Sequence, residues 1–222
     1  MRKLKYGNTN TYFIDGLLFD TDMPGTMPQF FKTIKQNEIS LTDIHYVLAS
    51  HYHPDHIGLI SELMDMGVRL IIVENQMKLV HFADEIIRRQ YGSKYSPIDE
   101  TRAKVISIDK SRSFLKSIEI GGEIVSTYSH SKDGIALILD DGNCFVGDLE
   151  PRSYIDAYED NRILESDWNR IALHNPKVIH FGHANEQTQP GTELEIGSEA
   201  RLCMAKTTEL SFFLTARECN TA

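Results

Sequence analysis

Over residues 11–14 and 17–20 apolar and polar positions interchange at short range, with Asp15-Gly16 between the two runs. That pattern predicts a hairpin whose turn uses glycine's tolerance of positive φ. Phe30, Phe31 and Ile34 then fall at helical spacing and predict a short amphipathic helix over residues 28–36. Residues 46–49 read as a compact apolar strand, 57–66 as a helix closed by Gly67, and 69–73 as a second buried strand. A long polar helix is expected over 74–90, with Met77, Val80, His81 and Ile87 on or near one face. Beyond a loop at 93–99 the period changes to two, and 104–108, 113–120, 123–128, 134–139 and 144–147 read as successive strands. Asp140-Asp141-Gly142-Asn143 is a hairpin turn between the last two. A helix over 163–174 and a strand at 178–181 close the regular part, followed by loop to residue 197 and a helix over 198–217. Each half runs strands, helix, strand, which predicts an α/β chain of two packed sheets with helices outside.

Composition narrows the class. With 41% hydrophobic and 25% charged residues in 222, the chain can bury a core and reads as one domain over residues 1–222, the part beyond about 185 being a C-terminal loop and helix. Its purely apolar runs reach about five residues, far below the ~20 needed to span a bilayer, so no membrane association is expected. The basic residues 1–5 lead straight into Tyr6-Gly7-Asn8 without the apolar stretch of a secretory leader. Cys144, Cys203 and Cys219 are odd in number and widely spaced, which fits reduced thiols and a cytoplasmic setting. A formal charge of −9, from 32 acidic and 23 basic residues, disfavours nucleic acid as a partner. Oligomeric state is not legible.

The chemistry concentrates in Ser50-His51-Tyr52-His53-Pro54-Asp55-His56-Ile57-Gly58, between an apolar strand and a helix. In an extended segment His51 and His53 project to the same side, so both imidazoles can serve one metal ion. Asp55 and His56 follow where the chain turns into the helix, within reach of a second ion. A lone histidine is more often a hydrogen-bonded core residue than a ligand; four candidate ligands in six residues make that reading poor here.

With these residues the sequence resembles the metallo-β-lactamase fold superfamily, in particular its lactonase and glyoxalase II-like members, over about residues 11–184. His51, His53, Asp55 and His56 match the signature motif; His130 in Ser129-His130-Ser131, Asp148 in Gly147-Asp148-Leu149 and His183 in Gly182-His183-Ala184 match the remaining ligands in order. The resemblance implies a four-layer αββα sandwich of two mixed β-sheets flanked by helices. It implies one metal on His51, His53 and His130, another on Asp55, His56 and His183, and Asp148 bridging. Asp20, in Phe19-Asp20-Thr21, matches an early strand-end Asp expected to orient ligands. Two Zn²⁺ are the implied cofactor, with Fe or Mn also compatible with imidazole and carboxylate donors.

The implied activity is that of a metal-dependent hydrolase: a dinuclear-zinc-bound hydroxide attacks an acyl centre, with Asp55 orienting the nucleophile or passing a proton. A small lactone or ester is the favoured substrate. A thioesterase, β-lactamase or phosphodiesterase of the same fold, or a mononuclear iron persulfide dioxygenase, is the alternative; His53 stands where the flavin-linked diiron branch has Glu and speaks against that branch. Tyr128, Lys132, Arg152 and Tyr154 lie near the ligand loops in sequence and are weak candidates for substrate contact. Two departures stand out: Tyr128-Ser129 replaces the family's usual Pro-Gly before His130, and Asp22 stands where its motif has Gly.

Overall fold

The computed structural model describes residues 1–92, 95–157 and 160–188. The expected hairpin forms from β2 (Asn10–Ile14) and β3 (Leu17–Phe19). Asp15 and Gly16 between them take φ of 44° and 90°, the left-handed pair whose twist suits a two-residue hairpin. β1 (Arg2–Lys5), which the sequence pattern does not predict, pairs antiparallel with β2. Three parallel pairings then add β4 (Tyr46–Leu48), β5 (Arg69–Val73) and β6 (Lys104–Ile106), giving a six-stranded mixed sheet in the order β1-β2-β3-β4-β5-β6. The second sheet holds β7 (Gly122–Ser126), β8 (Ile135–Leu139), β9 (Asn143–Phe145), β10 (Val178–His180) and β11 (Gln187–Thr188), in the order β11-β10-β9-β8-β7, with only the β9–β10 pair parallel.

The period-two alternation of these strands assigns the layers. Leu17, Phe19, Leu48, Ile71 and Val73 pack against Ile124, Leu137, Leu139 and Phe145 of the other sheet. The intervening residues Leu18, Val47, Leu70 and Ile72 face the opposite way, onto Phe30 and Ile34 of α1 (Met27–Gln36), Ile60 and Leu63 of α3 (Ile60–Asp65), and Ile87 of α4 (Asp84–Tyr91). Ala136, Ile138 and Cys144 turn outward onto Leu164, Trp168 and Ile171 of α6 (Arg162–Ala172). Helix, sheet, sheet, helix is therefore the layer order, as the resemblance implied.

Several elements differ from the pattern-based expectation. Residues 113–120 are not a strand: α5 (Ser111–Ser117) forms there and ends with Glu119 at φ 66°. Phe114, Leu115 and Ile118 sit at i, i+1, i+4, and this helical face covers the rim of the inter-sheet core. The helix over 57–66 is two pieces, α2 (Pro54–Ile57) and α3, because the His56 carbonyl accepts from both the backbone N–H and the hydroxyl of Thr21. The long helix over 74–90 is a 3-10 segment, Glu74–Leu79, followed by α4. Gln76 within that segment is buried, its amide donating to the carbonyls of Ala49 and Asp133 while its oxygen accepts from Val73 N–H. β11 forms where loop was expected, and the helix expected over 198–217 lies outside the described residues.

Two consequences position the chemistry. β3 and β4 run parallel in one sheet and β9 and β10 in the other, so their carboxyl ends bring Asp20, His51, Asp148 and His183 to one edge of the sandwich. Main-chain hydrogen bonds stitch the sheets together at that edge, Ile135 N–H to Ser50 O at 2.9 Å and Asn10 N–H to Gly182 O at 2.7 Å.

Candidate metal centre

His51 and His53 follow β4, and their imidazoles converge as period-two spacing predicts: His51 Nε2 lies 2.9 Å from His53 Nδ1. The loop after β7 brings His130 to the same point, its Nε2 3.2 Å from each of those nitrogens. Three imidazole nitrogens facing one another cannot all be satisfied by shared protons. Ligands at ~2.0–2.1 Å from a tetrahedral ion are separated by roughly 3.3 Å, close to the spacing seen here.

Beside this triangle is a second group. His183 Nε2 lies 3.0 Å from Asp55 Oδ2 and 3.3 Å from Asp148 Oδ1, and His56 Nε2 lies 3.3 Å from Asp148 Oδ1. The other carboxylate oxygen of Asp148 faces His130 Nε2 at 3.7 Å, so its two oxygens address the two groups. His56 Nε2 and Asp148 Oδ1 are buried with no hydrogen-bond partner. With its Nδ1–H donated to Asp20, His56 can satisfy the facing Nε2 and Asp148 Oδ1 only through a positive centre between them, a proton on Nε2 or a metal cation. The residues present fit two adjacent metal ions, as His51, His53 and His130 on one side and Asp55, His56 and His183 on the other, with Asp148 between.

The far nitrogens are held in turn. Asp20 at the end of β3 is buried; it accepts from His56 Nδ1 at 2.9 Å and from Ser50 N–H at 2.6 Å. Ser50 Oγ lies 3.0 Å from His51 Nδ1, and His183 Nδ1 donates to the Asn8 carbonyl at 3.3 Å. Sequence reasoning named Asp20 but missed Ser50, although it opens the motif. It also missed Asn8, which carries no local signal and arrives through the β1–β2 connection. Two glycines are required by closeness: a Cβ on Gly147, which has φ 58°, would lie 2.3 Å from Ser50 Oγ, and one on Gly182 would lie 2.6 Å from Asp148 Oδ1.

Electrostatics follow this crowding. Burial, reinforced by four neighbouring imidazoles, pushes the His51 pKa far down and keeps the ring neutral, the form that binds metal. Burial also works against a charged His56, but Asp20 and Asp148 outweigh it and push that pKa up to about 10. For Asp148, burial raises the carboxyl, yet His56, His183 and His130 hold it below the usual range. A cation arriving there displaces the His56 proton.

Asp22, the departure from the family's Gly, is buried and accepts from Thr9 N–H and Met23 N–H at 2.8 and 2.7 Å, fastening the β1–β2 connection beside the centre. The weak substrate candidates lie on the surface: Tyr128 and Lys132 on the His130 loop, Arg152 and Tyr154 on a 3-10 turn after Asp148. The Tyr128 ring is covered by the Arg170 guanidinium, 5.4 Å from its centroid. Phe82, which sequence reasoning passed over, is exposed with its ring 5.9 Å from that of His53.

Residues 4–203 match the family model of the metallo-beta-lactamase superfamily. The chain belongs to that superfamily. The superfamily's fold recurs in solved structures: a metallo-beta-lactamase family protein of Thermus thermophilus, TTHA1429, superposes with a TM-score of 0.60 at 19% identity, over 88% of this chain and 76% of that one. TTHA1623, solved in a di-iron-bound form, superposes with a TM-score of 0.60 at 18% identity, over 81% of this chain and 89% of that one. Among curated superfamily sequences, the Beta-lactamase-like protein 2 homolog of Drosophila melanogaster is 24% identical over 84% of this chain and 62% of its own length. The chain thus spans about three fifths of that relative. Among the described residues no helix is long and apolar enough to cross a membrane.

Proposed function

We propose that this superfamily member is a metal-dependent hydrolase acting on an acyl centre of a small molecule, a lactone or ester being the class we favour. The observation that carries the reading is the pair of ligand groups sharing Asp148, whose buried Oδ1 and the facing His56 Nε2 have no hydrogen-bond partner. His51, His53 and His130 would hold one divalent ion and Asp55, His56 and His183 the other, with Zn²⁺ suited to the mixed donors. Such ions supply Lewis acidity and bring the pKa of water toward neutrality.

The chain's own groups do the rest. Asp148 keeps the two ligand groups at a fixed spacing, and Asp20 holds the His56 ring so that its Nε2 faces inward. The Asp55 side chain is a quarter exposed. Its carboxylate is therefore within reach of bulk water, and in this reading it orients the attacking water and passes the proton on to the leaving oxygen.

The test is a parallel screen of the zinc-loaded protein with a homoserine lactone, a glutathione thioester, a β-lactam and an activated phosphodiester, against His51→Ala/His53→Ala. Turnover of the lactone, lost in the double variant, is the expected result; turnover of another class reassigns the substrate. A second reading, oxidation of a persulfide at a mononuclear iron, is supported by the iron compatibility of the same donors. Oxygen uptake by iron-loaded protein with glutathione persulfide, and no hydrolysis in the screen, would favour it.

A further inference from the structure

The imidazoles of the centre are not held alike. His56, His51 and His183 have their far nitrogens within reach of Asp20, Ser50 and Asn8, and His53 packs on Phe82. Among the described residues the His130 ring makes its hydrogen bonds, ion pair and ring contacts only within the centre, with His51, His53 and Asp148, and outside it feels only the charge of Asp133. His130 is also about a third exposed, so packing does not immobilise it. Its position must come from the backbone that carries it.

That backbone is clamped from α6. Asp167 is fully buried, and a single oxygen, Oδ2, accepts from two consecutive amides, Tyr128 N–H at 2.8 Å and Ser129 N–H at 2.7 Å. Its Oδ1 pairs with Arg170 one helical turn on, which neutralises the buried charge. Arg170 then extends the clamp, donating from Nε to Ser126 O at 3.0 Å and laying its guanidinium over the Tyr128 ring. The loop's ends are tied independently, by Thr127 N–H to Gly134 O at 2.9 Å and by Tyr52 N–H to the Asp133 carboxylate at 2.7 Å. Asp167 therefore acts on the residues immediately before His130 and not on loop closure. A proline at position 128, as the family usually has there, would carry no N–H for this carboxylate to hold.

We propose that Asp167, supported by Arg170, is a positioning residue that sets His130 against His51 and His53 and thereby selectively tunes the metal affinity of that three-histidine group. The inference rests on the metal-centre reading above. It predicts an asymmetry: loosening the clamp weakens one metal position and spares the other, since among the described residues Asp55, His56 and His183 share no hydrogen bond or ion pair with Asp167 or Arg170.

The experiment is stepwise Co²⁺ titration of the full chain, followed by its visible absorption and by metal stoichiometry from native mass spectrometry. His53→Ala and His183→Ala supply the signatures of each position lost. Asp167→Ala is expected to weaken the position lost in His53→Ala by 10- to 100-fold, leaving the other within about threefold. Asp167→Asn, whose amide oxygen can still accept both N–H groups although its NH2 cannot pair with Arg170, should recover part of that loss. Equal weakening of both positions, or no change in either, would overturn the proposal. If Asp167→Ala does not fold, Tyr128→Pro removes one of the two donors while leaving Asp167 bonded to Ser129 and Arg170; the same selective loss is expected and the same even result overturns it. Failure of the wild-type chain to bind Co²⁺ at all would instead reject the metal-centre reading, so the two failures are distinguishable.

Discussion

Asp20 shows how much one carboxylate can decide. It takes hydrogen bonds from His56 Nδ1 and Ser50 N–H together, so it fixes a ring and the strand end beside it. Asp20→Ala should lower metal affinity at the His56 position by about 10- to 100-fold, measured by competition with a chromophoric chelator, because the ring loses its orienting partner. His81 is a contrasting case away from the centre's ligands, bonded on both nitrogens to Asp84 and Glu100 at 2.9 Å. Partial burial works against its charged form, but the hydrogen bonds and charges of Glu100 and Asp84 outweigh that and raise its pKa. The pairing thus steadies the fold below about pH 6.5 and is lost as pH rises through the raised value. An NMR titration of the ring should give a midpoint above about 6.5 that falls in Glu100→Gln. Motif residues such as His51 and Asp55 stood out in the sequence because the proposed ligand chemistry demands their types at their spacing. Asp167 and Asn8 were not legible, since nothing local links them to histidines 37 and 175 positions away.

Among the elements, α2 is where local pattern and tertiary demand part. The apolar run beyond Pro54 suggests one helix, yet Thr21 takes the His56 carbonyl and Gly58 brings the chain against the segment after β3. A Cβ on Gly58 would lie 2.2 Å from Pro24 N and 2.3 Å from Asp22 O, both backbone atoms that cannot swing aside. Gly58→Ala is therefore expected to cost about 1–3 kcal/mol in urea unfolding, with metal binding weakened as well because Asp55 and His56 lie on the displaced turn. α5 makes the related point for residues 111–117. A short apolar segment carries both periodicities weakly, and the open rim of the inter-sheet core, which Leu115 fills, selects the helix.

For the whole molecule, the inter-sheet layer unites strands distant in sequence, and Leu137 is fully buried at its middle between Phe19, Ile71 and their neighbours. Leu137→Ala should destabilise the fold by about 2–5 kcal/mol by chemical denaturation, since a core between two sheets collapses poorly around a void. Metal bound to the native state alone adds stability by mass action, about 2.7 kcal/mol per site at a hundredfold excess over Kd. A chelator should then lower Tm by roughly 5–11 °C for each ion it removes in thermal melts of zinc-loaded protein. The sequence by itself determined the candidate ligand set, its strand-end placement and the two-sheet architecture, because the residue types and spacing that suit metal donors and period-two burial are written along the chain. The tertiary structure decided where one helix became two, which strand-like run coiled, and which buried carboxylates steady the histidines. Those outcomes depend on partners that only the folded chain brings within hydrogen-bonding distance.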